Sequence, residues 1–351
     1  MRAVHVVLPA GVDDVALLSG GNVYDRRVCR GLTGLGWTVH EHVVPVEGPS
    51  HDEAASAAEV IEGMPLGSLV LVDGLVAASV PDVLVAEAAR VRLVVLVHMV
   101  ADSTGGSGGS GERAERAVLG AAAAVITTSA WSRCRLLESH PLPAGRVHVV
   151  RPGVEAAALA PGSPSGGRLT CVASLTTGKG HDVLLAALDL VRDLAWTCVM
   201  VGSLARDPAH AAVVRGHISE SGLGDRVVIA GPRSGPDLDA TYAATDLLVL
   251  ATRTESYGMV VPEALARGVP VLASSVGGVP EAMVRLPDGS RPGLLVPPDD
   301  PAAFAAALRC WLTDARLRES LRRAARLSRP GLPSWTRTSR RVSAVLDEVA
   351  R

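Results

Sequence analysis

The sequence predicts an α/β protein built from two doubly wound parallel sheets, and three observations carry that reading. The chain has 351 residues, beyond the size at which a single hydrophobic core usually keeps growing, so two domains are expected. Short β-rich runs alternate with helical patterns along most of its length, as in parallel sheets covered by helices on both faces. The alternation breaks once, at Glu155 to Gly167, a run rich in Pro, Gly and Ser that resembles an interdomain linker, and then restarts.

In the first half the strands are expected at 3–8, 38–44, 69–72, 91–97, 123–128 and 146–150. The run Arg92-Leu93-Val94-Val95-Leu96-Val97 is apolar after its first residue instead of alternating, which fits a central strand buried on both faces. Tyr24, Val28, Leu32 and Leu35 recur at spacings of three and four, so residues 22–35 should form a helix with one apolar stripe, stopped near Gly36. In the second half, strands at 168–173, 196–201, 226–230, 246–250, 269–273 and 293–296 alternate with helices near 181–193, 207–221, 236–243, 262–267, 280–284 and 300–313. The Gly/Ser run 103–111 follows His98 and reads as a flexible loop, either a lid or acceptor-binding segment or a tolerated surface insertion.

Composition removes several classes of function. With 34 Lys+Arg against 36 Asp+Glu and a net charge of −2, the chain offers no basic face for nucleic acid. No apolar run reaches the roughly 18 residues of a membrane span, and the opening run Arg2 to Pro9 lacks the pattern of a secretion signal. Cys29, Cys134, Cys171, Cys198 and Cys310 sit in apolar segments without C-x-x-C spacing, as expected of reduced, buried thiols in a cytoplasmic protein.

The stretch Thr254 to Ala273, followed by Ser274 to Glu281, is the most informative part of the chain. Two glutamates stand eight positions apart in it, Glu255 and Glu263. Pro262 suits the first position of a helix, since the missing N–H costs nothing there, and Glu263 in the first turn complements the helix dipole. A carboxylate so placed can accept hydrogen bonds from both hydroxyls of a ribose. Glu255 falls in the preceding loop, where Gly258 lets backbone N–H groups approach a phosphate or sugar. Taken singly, either glutamate also suits a helix-end stabiliser or a solvated surface charge.

Together these residues resemble the E-x7-E signature of family 4 glycosyltransferases of the GT-B fold, in which two Rossmann-like doubly wound domains face each other across a cleft. The resemblance extends over most of the chain. It includes Ser19-Gly20-Gly21, His98, Ser129, Leu175 through Lys179-Gly180 with Asp182 to Leu185, Tyr242 to Asp246, and Gly293 to Pro301. It implies an amino-terminal acceptor-binding domain (1–155), a nucleotide-sugar-binding domain (168–333) and a final segment, 334–351, that crosses back to the first domain.

By the same resemblance Glu263 holds the ribose, while Glu255 and the Tyr257–Gly258 backbone touch the transferred sugar. Lys179, between a strand and a helix, holds the diphosphate, with Gly20 and Gly21 as a further backbone approach to phosphate unless they form a plain turn. His98 contacts sugar unless it is a core histidine. Ser174 stands where many relatives have arginine, a departure that keeps a non-catalytic binding protein in play. Gly178-Lys179-Gly180 lacks the flanking residues of a Walker motif, and no His/Cys cluster has metal-ligand spacing. The implied activity is a metal-independent transfer from a nucleotide-diphosphate-sugar donor, a substrate and not a cofactor, to an unknown acceptor with retention at the anomeric carbon. An epimerase, a phosphorylase and a nicotinamide-dependent enzyme stand as alternatives.

Overall fold

The computed structural model describes residues 2–46, 51–100 and 110–351. Residues 103–109 of the expected Gly/Ser loop lie outside them. Two six-stranded sheets are present, and every strand pair in them is parallel. The first holds β1 (Ala3–Pro9), β2 (Thr38–Val44), β3 (Leu69–Asp73), β4 (Arg92–Val97), β5 (Ala124–Thr127) and β6 (Val147–Val149), in the order β2-β1-β3-β4-β5-β6. The second holds β7 (Arg168–Val172), β8 (Thr197–Val201), β9 (Val227–Gly231), β10 (Leu247–Leu250), β11 (Val271–Ser274) and β12 (Gly293–Val296), in the order β12-β11-β10-β7-β8-β9. Each sheet is doubly wound, because the chain moves outward in one direction and then returns to build the other half. The reversal falls between β1 and β3 in the first sheet and between β7 and β10 in the second.

The strands lie within two residues of their expected ends. The centres are apolar on both faces: β3 and β10 are buried at every residue, as helical cover on both sides requires. The chain divides into two compact units. One comprises 1–13, 21–153 and 333–351; the other comprises 14–20 and 154–332.

In the first unit, the helix Gly20–Gly34 begins two residues before its expected start and buries Tyr24, Val28 and Leu32 as one stripe. The Tyr24 hydroxyl donates to the Val150 carbonyl at 3.0 Å, so a polar tip is satisfied inside the core. The helix Trp335–Val349 packs on the same unit. Its Ser343 hydroxyl accepts from the Trp37 indole N–H at 2.9 Å, its Thr338 hydroxyl donates to Arg151 O at 2.8 Å, and the Trp335 ring meets Tyr24 edge-on at 5.8 Å. Gly31 is where that helix crosses Gly20–Gly34, since a Cβ there would overlap the Ser339 side chain.

In the second unit, the apolar sides of the helices His181–Asp189, Pro208–Glu220 and Pro301–Thr313 close one core around β7, β8 and β10. Two expectations need correction here. The run 155–167 is not a detached tether: Asp246, buried at the start of β10, accepts from the Ser163 hydroxyl and backbone, and Trp311 donates to Gly166 O at 2.8 Å. A buried carboxylate must find donors, and this run supplies them. The cysteines also differ from expectation, since Cys29, Cys171 and Cys198 are buried but Cys134 and Cys310 are exposed. Both exposed thiols sit on helices, where an apolar neighbourhood in sequence does not fix which face a residue takes. Among the described residues no helix is long and apolar enough to cross a membrane.

The close approach of Gly153 to Trp335 gives a test of the last helix. A Cβ on Gly153 would overlap the Trp335 backbone nitrogen, whereas one on Gly145 meets nothing within 4 Å. Gly153→Ala should cost about 1–3 kcal/mol through overpacking. Calorimetric melting should show that loss as a clear drop for Gly153→Ala and almost none for Gly145→Ala.

Candidate functional site

In open parallel sheets ligands bind beyond the carboxyl ends of the strands, where the strand order reverses. In the second unit that point lies beyond β7 and β10, and the loops leaving these strands are bound to each other. The Arg253 and Thr254 amides donate to Gly178 O at 2.9 and 3.4 Å, and the Thr252 hydroxyl donates to the same carbonyl at 3.0 Å. The Arg253 guanidinium grips both oxygens of Asp182 at 2.8 and 2.7 Å and reaches Thr177 O and Asp299. Two arginine nitrogens on one carboxylate fix direction as well as distance.

Gly180 makes this fit possible. It has φ of +62°, and a Cβ would overlap the Ala251 carbonyl oxygen. The third loop, after β11, closes as tightly: a Cβ on Gly277 or Gly278 would overlap the backbone oxygen of Glu255 or Ser256, and the Gly278 amide donates to Glu255 O at 3.0 Å.

Lys179 and Glu255 are thereby brought together. Nζ lies 2.6 Å from Oε2, and about a fifth of each side chain is exposed. Lys179 ends a short 3-10 turn, Thr177–Lys179, ahead of the helix His181–Asp189. Tyr257 is buried beside them, and Gly258 has φ of +85° with the Glu255 side chain 3.3 Å from where its Cβ would stand. Ser174 leaves the end of β7, its hydroxyl 3.5 Å from Leu18 O. Gly20 lies against the Met259 sulfur, at 3.3 Å from its would-be Cβ.

Glu263 is held on a separate partner. The helix that carries it runs Val260–Ala266, so Val260 takes the first position and Pro262 the third, and the helix starts two residues earlier than the sequence placed it. The first turn has no intrahelical acceptors for its N–H groups, so proline is tolerated at either place. Glu263 Oε2 accepts from the Tyr242 hydroxyl at 2.8 Å. Tyr242 is fully buried, burial and then the Glu263 charge hold its hydroxyl well above the ordinary range, and Arg267 covers its ring at 4.6 Å. Gly268, at φ of +69°, ends this helix as expected.

His98 and Gly21 belong to the first unit. His98 follows β4 with 15% of its side chain exposed, and Gly21 leaves its ring 3.2 Å from where a Cβ would stand. His98 Nε2 lies 2.8 Å from Asp25 Oδ1 and 3.2 Å from Asp73 Oδ2. The spacing of residues in the sequence points to no metal-ligating set, but folding gathers these three ligand-type side chains, with atoms within 4.8 Å of one another, from positions far apart in the chain. Burial lowers the imidazole, but the charges and hydrogen bonds of Asp25 and Asp73 outweigh it and push His98 up to about 10. Burial raises Asp25 to about 6, partly offset by His98. For Asp73 burial also acts upward, but the His98 contact and the Leu75 amide hold it below the ordinary range.

Residues 166–314, which contain Lys179, Glu255 and Glu263, match the family model described as glycosyl transferases group 1. That segment is similar to group 1 glycosyl transferases. Among curated proteins the chain is similar to a D-inositol 3-phosphate glycosyltransferase of Jonesia denitrificans, 33% identical over 52% of this chain and 46% of that protein. A protein of the same description from Salinispora arenicola is 32% identical over 66% of this chain and 55% of its own length. The chain spans about half the length of the curated relatives it matches. Among solved structures it is similar to sucrose-phosphate synthase from Thermosynechococcus elongatus, with a TM-score of 0.83, 20% identity and 99% of each chain covered. Anabaena Alr3699/HepE in complex with UDP and glucose gives a TM-score of 0.77 at 18% identity, over 99% of this chain and 100% of that one. These likenesses give the fold, which is GT-B.

The His98 shift sets a pH dependence. A group raised above its unfolded value stabilises the fold below about 6.5 and loses that contribution as pH climbs through its folded value of about 10. Between pH 7 and 10 the wild-type melting temperature should therefore fall more steeply than that of His98→Gln. Parallel slopes in the two melting series would show that the ring carries no such charge.

Proposed function

We propose that the chain is a retaining glycosyltransferase that moves a sugar from a nucleotide-diphosphate-sugar donor to an acceptor hydroxyl without a metal ion. The observation that carries this reading is the Lys179–Glu255 pair beyond β7 and β10, inside the segment that matches group 1 glycosyl transferases. A leaving diphosphate needs cationic and N–H donors aimed at its oxygens. Lys179 supplies the charge, and the backbone about Gly258 supplies close approach.

Glu263 takes the ribose hydroxyls, its carboxylate oriented by Tyr242. Before donor binds, Glu255 neutralises Lys179; with donor present the diphosphate takes the ammonium, and Glu255 turns to the sugar. The acceptor hydroxyl attacks from the face that the leaving group departs, and the departing phosphate oxygen takes its proton. The new glycosidic bond forms as the bond to the diphosphate breaks, and positioning lowers the barrier more than acid–base exchange does. Ser174 provides no cation of its own, which leaves the side-chain charge in this loop to Lys179.

The test is a screen of UDP-, GDP- and ADP-sugars for release of the nucleoside diphosphate, followed by acceptors beginning with D-inositol 3-phosphate, the compound in the relatives' names. No release from any donor would overturn the reading in favour of a binding protein; release without transfer to any acceptor would favour a hydrolase.

Two outcomes are expected of the active enzyme. Lys179→Ala should lower kcat/KM by about 10- to 150-fold, the equivalent of one charge-assisted hydrogen bond at about 1.5–3 kcal/mol, with a smaller loss in donor affinity by calorimetry. EDTA should leave the transfer rate unchanged, and a strict requirement for Mg²⁺ or Mn²⁺ would contradict the metal-free step.

A further inference from the structure

Two buried carboxylates share one imidazole in the first unit, and the chemistry of the Lys179–Glu255 site gives them no task. Asp25 and Asp73 are 2% and 3% exposed. Asp25 comes from the helix after β1, Asp73 is the last residue of β3, and His98 is the first residue after β4. Their meeting point is therefore at the carboxyl edge where the first sheet reverses its order, the edge at which such sheets take ligands. Asp25 Oδ2 is buried and has no hydrogen-bond partner among the described residues. Carboxylates in a core are costly unless fully paired, and apolar residues would fill the same space at less cost. A second carboxylate on one N–H adds repulsion, so packing alone does not account for the group.

We propose that Asp25 and Asp73 are positioning residues for His98, holding its Nε2–H between them so that Nδ1 serves a hydroxyl-bearing ligand of the sugar or polyol class. This rests on the transferase reading. Both carboxylates engage Nε2, so the ring cannot turn over without losing two bonds. Gly21 closes one side of the ring, and the Tyr24 ring meets it edge-on at 5.3 Å. Among the described residues, Asp25 and Asp73 are the charged groups on the imidazole; Tyr24 is kept neutral by burial, which drives its hydroxyl far above the physiological range.

Charge is set by the same geometry. With the imidazole held up to about 10 and Asp25 at about 6, the ring is an imidazolium near neutral pH. Both ring nitrogens then carry hydrogen, and Nδ1 donates to a ligand oxygen instead of accepting from a hydroxyl. The two aspartates so decide which kind of hydrogen bond the site can make.

The experiment uses the whole chain labelled with ¹⁵N-histidine, the His98 signals being identified by their loss in His98→Gln. In the wild type both imidazole nitrogens should remain protonated from pH 6 to 8. Asp25→Asn and Asp73→Asn should each bring the His98 titration down into that window and lower kcat at least about tenfold, with a smaller change in donor KM. Asp25→Glu should recover part of both. The ring measurement needs no turnover, so it stands even where the chain transfers no sugar, and the two readings fail separately. A wild-type His98 that is neutral at pH 7, or folded asparagine variants with unchanged titration and kcat, would overturn the proposal. Stoichiometric binding of Mn²⁺ or Zn²⁺ alone, lost in Asp25→Asn, would overturn it in favour of a metal site.

Discussion

Every strand in both sheets runs parallel to its neighbours, and that constraint governs where the rest of the molecule can place its chemistry. Parallel strands bring all their carboxyl ends to one edge. The loops that leave them must then share a small area, and where the strand order reverses two loops part and leave a crevice between them. The chemistry-bearing residues of the second unit come from the loops after β7 and β10 and from the helix after β10, and those of the first from the ends of β3 and β4 and the helix after β1. Crowding at the edge also explains the glycines. Gly180, Gly277 and Gly278 stand where any side chain would strike a carbonyl oxygen of an adjoining loop. Close packing of these turns fixes Lys179 against Glu255 as firmly as the ion pair itself.

Much of this could be read in the sequence, because the signals were local. Continuous apolar runs such as Arg92–Val97 have one physical explanation, cover on both faces, and they gave strand positions to within two residues. The glycosyl transferases group 1 match spans the stretch with Glu255 and Glu263, the segment the spacing had singled out. Helix starts were less exact. Pro262 was placed first because proline is tolerated there, but the whole first turn tolerates it, so the residue type could not choose among three positions.

What escaped the sequence was long-range. Asp25, Asp73 and Tyr242 are ordinary residues in their own neighbourhoods, and their roles exist only because folding brings them to His98 and Glu263. No spacing rule connects positions 25, 73 and 98, since they come from three separate βα units. Arg253 is similar: beside Thr254 and Glu255 it reads as a loop charge, whereas its two ion pairs and its bond to Thr177 tie two loops together. The run 155–167 shows the converse. Its composition suggested a tether, but a buried Asp246 and the indole of Trp311 hold it in place, and composition carries no record of such distant partners.

The helix Trp335–Val349 has a consequence for how the chain is made. It completes the unit that contains β1 to β6, yet the whole of β7 to β12 lies between it and that sheet in the order of synthesis. On a ribosome the earlier unit emerges with Trp37 lacking the Ser343 partner of its indole and Tyr24 lacking the ring that covers it, and both must wait until residues 335–343 have been added. The second unit has all of its residues in hand before that moment. The part of the molecule that is born first is thus the last to be closed, and a nascent chain halted before residue 335 leaves its oldest core open.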